Sequence, residues 1–220
     1  MKNTLICMLC TLFTLSFFSC SDEDIVKKET PPVVIDGVDK SKQQIYLCFG
    51  QSNMEGNAAI EQIDLEGVDS RFKVMCATTS DESHNSRKMG EWYTATPPLC
   101  RWETGLTPVD YFGRKLVENL PSDVKVGVIV VAMGGSGIDA FDKDNYKSYY
   151  NSADAWQKGL MDAYGGSPYS RLVEMAKKAQ ETGVIKGILL HQGESNNMQQ
   201  DWPTKVKKIR DDLMNDLKLS

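Results

Sequence analysis

Three short polar segments hold the residues best suited to chemistry: Gly50-Gln51-Ser52-Asn53, Gly134-Gly135-Ser136-Gly137 and His191-Gln192-Gly193-Glu194. Together they offer a serine hydroxyl, glycine N–H groups, side-chain amides and a carboxylate. Acyl transfer needs a nucleophile, a base to take its proton, a group to orient that base, and donors for the oxyanion that develops. All but the base are present here. A serine hydroxyl is a poor nucleophile until a neighbour accepts its proton. The sequence contains two histidines, His84 and His191. His84 stands in the polar run Glu82-Ser83-His84-Asn85 and is expected to be solvated. His191 closes an apolar run and is expected to point into packing.

Other chemistries fit less well. The two histidines lack metal-ligand spacing and no pair of C-x-x-C motifs exists, so no metal is expected. Asp142 and Asp144 begin something like a calcium loop but lack its glycine and terminal glutamate. Gly135-Ser136-Gly137-Ile138-Asp139-Ala140 fits the G-x-G-x-x-A spacing of a dinucleotide turn. That reading requires an acid about 20 residues on, at the end of a second strand. Asp154 is at that distance but lies in a polar stretch, so no cofactor is expected.

The elements around these segments explain how they meet. Ile45-Tyr46-Leu47-Cys48-Phe49, Val124 to Met133 and Val184 to Leu190 are apolar runs of strand length, each leading straight into one polar segment. Such runs suit strands buried on both faces of a parallel sheet. Arg71 to Thr78 is a further strand candidate. Thr107-Pro108-Val109-Asp110 is a helix start, with Thr as cap and Pro at the first position. Ser167-Pro168 starts another, and Pro203 a last one with Val206, Ile209, Leu213 and Leu217 facing inward. Residues 79–106 and 139–166 read as long polar connections. Alternating strands and helices predict an α/β fold, a three-layer sandwich around a mostly parallel sheet. The carboxyl ends of parallel strands share one edge, so the three polar segments should form one crevice.

The 220 residues are 41% hydrophobic and 25% charged, with a formal net charge of −5. This is a globular composition without the basic clustering of a nucleic-acid binder. Residues 1–20 have the layout of a bacterial lipoprotein signal peptide: Lys2, an apolar stretch from Leu5 to Phe18, then Ser19-Cys20. Cys20 is the expected lipid anchor and the membrane, through that lipid, an expected partner. Residues 21–43 read as a flexible tether, with the folded domain over 44–220. The protein is therefore expected to be exported and held on the bacterial cell envelope, at the outer membrane or cell surface. Cys48, Cys76 and Cys100 remain in an oxidising compartment, where a Cys76–Cys100 bridge is plausible and Cys48 reads as a buried thiol.

GQSNM at 50–54, Gly134-Gly135-Ser136 and HQGES at 191–195, in this order, resemble the sialate O-acetylesterase domain and carbohydrate esterase family six of the SGNH hydrolase superfamily. Thr104-Gly105-Leu106-Thr107-Pro108 and Tyr111-Phe112-Gly113-Arg114 are similar to the segment between that family's first two blocks. The resemblance implies a flavodoxin-like sandwich and a serine esterase that removes O-acetyl groups from carbohydrate, such as acetylated xylan or O-acetyl sialic acid. It implies Ser52 as nucleophile and an oxyanion hole of the Ser52 and Gly135 N–H groups with the Gln192 amide. Glu194 would orient the catalytic histidine as in some members of the family, a later Asp doing so in others, and Gln51 and Asn53 would contact substrate. The family carries that histidine in an Asp-x-x-His segment after the last helix. No such segment occurs among these 220 residues, so the domain is expected to be C-terminally incomplete and close to inactive. A non-catalytic glycan-binding surface lipoprotein is the alternative.

Overall fold

A computed structural model describes Val34–Ile35 and residues 38–220. The expected signal segment, Cys20 and most of the expected tether lie outside the described residues. Two short strands, β1 (Val34–Ile35) and β2 (Val38–Asp39), pair antiparallel. A 3-10 turn over Lys40–Lys42 follows, capped by the Asp39 carboxylate. Lys40 donates to the Gln180 carbonyl and Lys42 pairs with Asp123, so the end of the stretch read as tether is fastened to the body.

Five strands form the central sheet: β3 (Gln43–Gly50), β4 (Phe72–Met75), β5 (Trp92–Thr94), β6 (Lys125–Ala132) and β7 (Val184–His191), in the order β5-β4-β6-β3-β7. All pairings are parallel except β4 with β5. The helices are α1 (Ser52–Glu55), α2 (Gln62–Leu65), α3 (Pro108–Glu118), α4 (Tyr146–Ser152), α5 (Ala155–Ala163), α6 (Pro168–Ala179) and α7 (Trp202–Asp216).

The alternation of strand side chains builds two cores. Ile45, Leu47, Phe49, Ile129 and Val131 face Leu172, Met175 and Ala176 of α6 and Ile209 and Leu213 of α7. Cys48, Val74, Val126, Val128 and Val130 face Val109 and Val117 of α3. The result is a three-layer α/β/α sandwich with β3 at the junction of crossovers on opposite faces. The helix starts obey their caps: the Thr107 hydroxyl accepts from Val109 N–H and the Ser167 hydroxyl from Ser170 N–H.

Three expectations are corrected. Residues 139–166 are mostly helical: a 3-10 turn over Ile138–Phe141 precedes α4 and α5. Asp154 and Gln157 form a capping box, and Ile138, Phe141 and Met161 are fully buried, which anchors a stretch that looks polar in sequence. β7 is an edge strand whose residues are half-buried or exposed, not a strand buried on both faces. Cys76 and Cys100 are unbridged; all three described cysteines are free and buried, and burial pushes the Cys76 thiol up to about 11.

Candidate active site

Ser52 is the first residue of α1, in the turn directly after β3. That turn is held from both sides. The Gly50 carbonyl accepts from Met133 N–H at 3.1 Å, beyond the end of β6, and Gln51 N–H donates to the His191 carbonyl at 3.1 Å, at the end of β7. Parallel pairing thus brings the three polar segments to one edge. Gly50 is required by this closeness: a Cβ there would lie 2.0 Å from the His191 carbonyl oxygen. Gly50→Ala is expected to cost about 3 kcal/mol, since neither backbone can retreat. A urea-unfolding midpoint close to the parent's would show that the turn yields.

The Gly134–Gly137 turn lies against α1. A Cβ on Gly134 would sit 2.7 Å from Glu55 Oε2 and 3.7 Å from Ser52 Cβ, which places this glycine backbone beside the serine. Gly135 is exposed with φ +67°, a left-handed conformation that glycine adopts without strain. Its carbonyl accepts from Gln157 Nε2 at 3.2 Å, and the Trp156 ring of α5 lies over it. Gly137 N–H donates to the Tyr149 hydroxyl, and the Ser136 hydroxyl turns back to the Met133 carbonyl. The turn continues into a 3-10 segment, not the long helix of a dinucleotide site, and Asp154 caps α5 instead of ending a strand.

The third segment contributes a buried amide network and an exposed carboxylate. Trp202 Nε1 can only donate, and it does so to Gln192 Oε1 at 2.5 Å. Ile138 N–H donates to Asn196 Oδ1 at 2.8 Å. These two donors fix both amide orientations, so Gln192 Nε2 faces Asn196 Oδ1 at 2.6 Å and the Ser136 carbonyl at 3.2 Å. The bond to the Ser136 carbonyl ties the third segment to the second, and the bond to Asn196 braces the third segment internally. Gln51 Oε1 accepts from Ser195 N–H at 3.2 Å, so the Gln51 side chain, also buried, braces the same network.

Asn53 points outward and donates through Nδ2 to Glu194 Oε1 at 2.8 Å. His191 is corrected: its ring is half-exposed at the sheet edge, and Nε2 lies 3.5 Å from the same Glu194 oxygen. The physical reason is the edge position of β7, which leaves no neighbour beyond it to cover the ring. His84 pairs with Asp81 at 2.6 Å and stacks on Trp102 with ring centroids 3.4 Å apart. Among the described residues neither imidazole is bonded to Ser52.

A residue that sequence reasoning missed lies behind the serine. Arg101 is buried and reaches Glu55 with one terminal nitrogen, while the other donates to the Ala132 carbonyl at 2.8 Å and the Tyr164 hydroxyl at 2.9 Å. It thereby ties α1 to the end of β6. Burial opposes its charge, but the surrounding Tyr164, Cys100 and Glu55 raise its pKa above the ordinary guanidinium value. Its Nε pairs with Glu103 two residues on, but the partners that tie it to the site are 31 to 63 residues away, and nothing in the local sequence marks them. Asp142, Asp144 and Asp212 also converge, but around the Lys208 ammonium at 2.7, 2.7 and 3.0 Å, where the protein supplies its own cation.

The family model for the carbohydrate esterase, sialic acid-specific acetylesterase domain matches residues 42–220. The chain belongs to this carbohydrate esterase family. Solved structures share the fold of this esterase domain. A protein from Arabidopsis thaliana is 19% identical with a TM-score of 0.56, over 80% of this chain and 69% of that one. NanS is 16% identical with a TM-score of 0.52, over 81% of this chain and 63% of that one. A carbohydrate acetylesterase from Xanthomonas citri is 21% identical with a TM-score of 0.49, over 79% of this chain and 38% of that one. The esterase domain here therefore spans less than two thirds of the length of the last two.

Proposed function

We propose that this protein is a serine ester hydrolase that removes O-acetyl groups from carbohydrates, with Ser52 as nucleophile. The observation that supports the reading is the packing of the Ser52 turn against the Gly134 backbone, which puts the serine side chain beside a glycine turn at one sheet edge. In this mechanism Ser52 Oγ attacks the acetyl carbonyl and the alcohol of the sugar leaves, giving an acetyl-serine that water then hydrolyses. The N–H groups of Ser52 and Gly135 receive the developing oxyanion. Gln192, expected as a third donor, supports the hole from behind by fixing the Ser136 carbonyl. Glu194, held by Asn53, is the carboxylate available to orient an imidazole. Asn53, exposed at the rim, is available to substrate, whereas Gln51 acts on the loop.

Acetate release from an acetylated xylo-oligosaccharide, compared between the parent and Ser52→Ala, tests this reading. Release that depends on Ser52 supports it. Oligosaccharide binding without release by either protein would replace it with the second reading, a glycan-binding surface protein. That second reading is favoured by one observation: among the described residues no imidazole is bonded to the Ser52 hydroxyl.

We also propose that the protein works outside the cell, lipid-anchored through Cys20 to the envelope; the support is the Lys2, apolar run and Ser19-Cys20 order. Cys20→Ala is expected to abolish incorporation of labelled palmitate in a bacterial host and to move the protein from the membrane to the soluble fraction. Unchanged labelling would remove the anchor.

A further inference from the structure

A groove of about 440 Å³ opens beside the Ser52 turn, a size within the range of about 300–1,000 Å³ common for small-molecule sites. Its base is built from two segments that pair across it. Leu106 N–H donates to the Ala58 carbonyl and Gly105 N–H to the Gly56 carbonyl, both at 2.7 Å, and the Thr107 hydroxyl donates to the Met54 carbonyl at 2.7 Å. One side of the groove is apolar, with Leu106, Pro108 and the ring of Tyr111; the other is polar, with Asn53, Asn57 and His191. Tyr111 is half-exposed but fixed: its hydroxyl donates to the buried Asp64 carboxylate at 2.8 Å, and the Arg114 guanidinium lies 5.6 Å from its ring centre.

We propose that this groove binds a neutral pyranose, the sugar that carries or adjoins the ester cleaved at Ser52. The inference rests on the esterase reading for what happens to that sugar, but not for its binding. A pyranose has weakly positive C–H bonds on its faces and hydroxyls around its rim. An aromatic face is negative and meets such C–H bonds, while side-chain amides meet the rim. The division of the groove into an apolar and an amide-bearing side matches that shape.

The charge of the groove selects against an acidic sugar. No lysine or arginine lines it. Arg114, the guanidinium at Tyr111, is committed to Asp110 and to the carbonyls of Glu66 and Asp64. His191 faces Glu194, and Glu194 also accepts from Asn53 of the groove, so a carboxylate side chain adjoins the polar side. A sialic acid carboxylate would enter without a charged partner and would meet a like charge, which disfavours it.

The test is calorimetric titration of Ser52→Ala protein, in which the ester cannot turn over. An acetylated xylo-oligosaccharide is titrated beside an O-acetylated sialoside. The neutral sugar is expected to bind at least about tenfold more tightly. Adding Tyr111→Ala should weaken neutral-sugar binding by about tenfold or more, while Tyr111→Phe, which keeps the ring, stays within about twofold of its parent. Thermal unfolding of each variant separates lost binding from lost fold. Equal or tighter sialoside binding, or neutral-sugar binding that survives Tyr111→Ala in a folded protein, would overturn the proposal. Tyr111-dependent binding together with no acetate release by the parent protein, which keeps Ser52, would overturn the esterase reading and leave this one standing.

Discussion

Replacing Ser52 with Ala is expected to reduce hydrolysis of p-nitrophenyl acetate to the solvent background, a loss of at least about 10³-fold in kcat/KM, or about 4 kcal/mol of transition-state stabilisation. The argument is that the other groups at the sheet edge polarise and position but cannot form the acyl intermediate. The N–H groups proposed as oxyanion donors at Ser52 and Gly135 belong to the backbone and persist in the variant, but without the serine hydroxyl there is no acyl transfer for them to assist. The same experiment addresses the base. General-base assistance contributes about 10²- to 10⁴-fold, and among the described residues no imidazole is bonded to Ser52. Added imidazole should therefore raise the rate several-fold in the serine protein and contribute only its solution reaction in the alanine variant. Equal rates in the two proteins without imidazole would end the nucleophile assignment. A serine-dependent rate that imidazole leaves unchanged would show that a base already serves Ser52, with His191→Ala the next variant to measure.

Arg101→Ala is expected to be the most destabilising single change among the charged residues near the site. It leaves the Glu55 carboxylate without its guanidinium donor and removes one of the donors to the Ala132 carbonyl and to the Tyr164 hydroxyl, in a buried setting. Breaking one side of a buried ion pair costs about 3–5 kcal/mol. In a chain of this size that lowers the melting temperature by roughly 10 °C. The penalty comes mainly from the abandoned carboxylate, so adding Glu55→Gln should recover about 1 kcal/mol or more. If the two changes are simply additive, the pair is not coupled and Arg101 acts through packing. Lys in its place keeps the charge but cannot span Glu55, Ala132 and Tyr164 together with one nitrogen, so Arg101→Lys should fall well short of the parent.

The sheet was legible in the sequence because its central strands are unbroken apolar runs, and three of them end in the segments that make the site. Ser52, the Gly134–Gly137 turn and the 191–194 segment could be placed together from topology alone. The helix starts at Thr107 and Ser167 were legible from their caps. What escaped was set by distance and by neighbours. The helices α4 and α5 depend on Ile138, Phe141 and Met161 reaching the core from a tyrosine-rich, polar stretch. His191 looks like a core residue beside Leu189 and Leu190 until β7 is known to be the edge. The orientation of the Gln192 amide is set by Trp202, ten residues later, which donates to its oxygen. The Arg101–Glu55 pair spans 46 residues, and no local pattern reports it.

The central position of β3 also sets the order of events in folding. Its two sheet partners are β6 and β7, and its bond to β7 joins residues 140 positions apart. Closing a loop of that length must precede any reward from the contact, which slows the step. The Ser52 turn is bonded at once to Met133 and to His191, so it has no stable form until both distant strands have docked. A nascent chain that has not yet presented β7 therefore carries the serine in an unformed turn. The turn that holds Ser52 is thus among the last local structures that the sheet can complete.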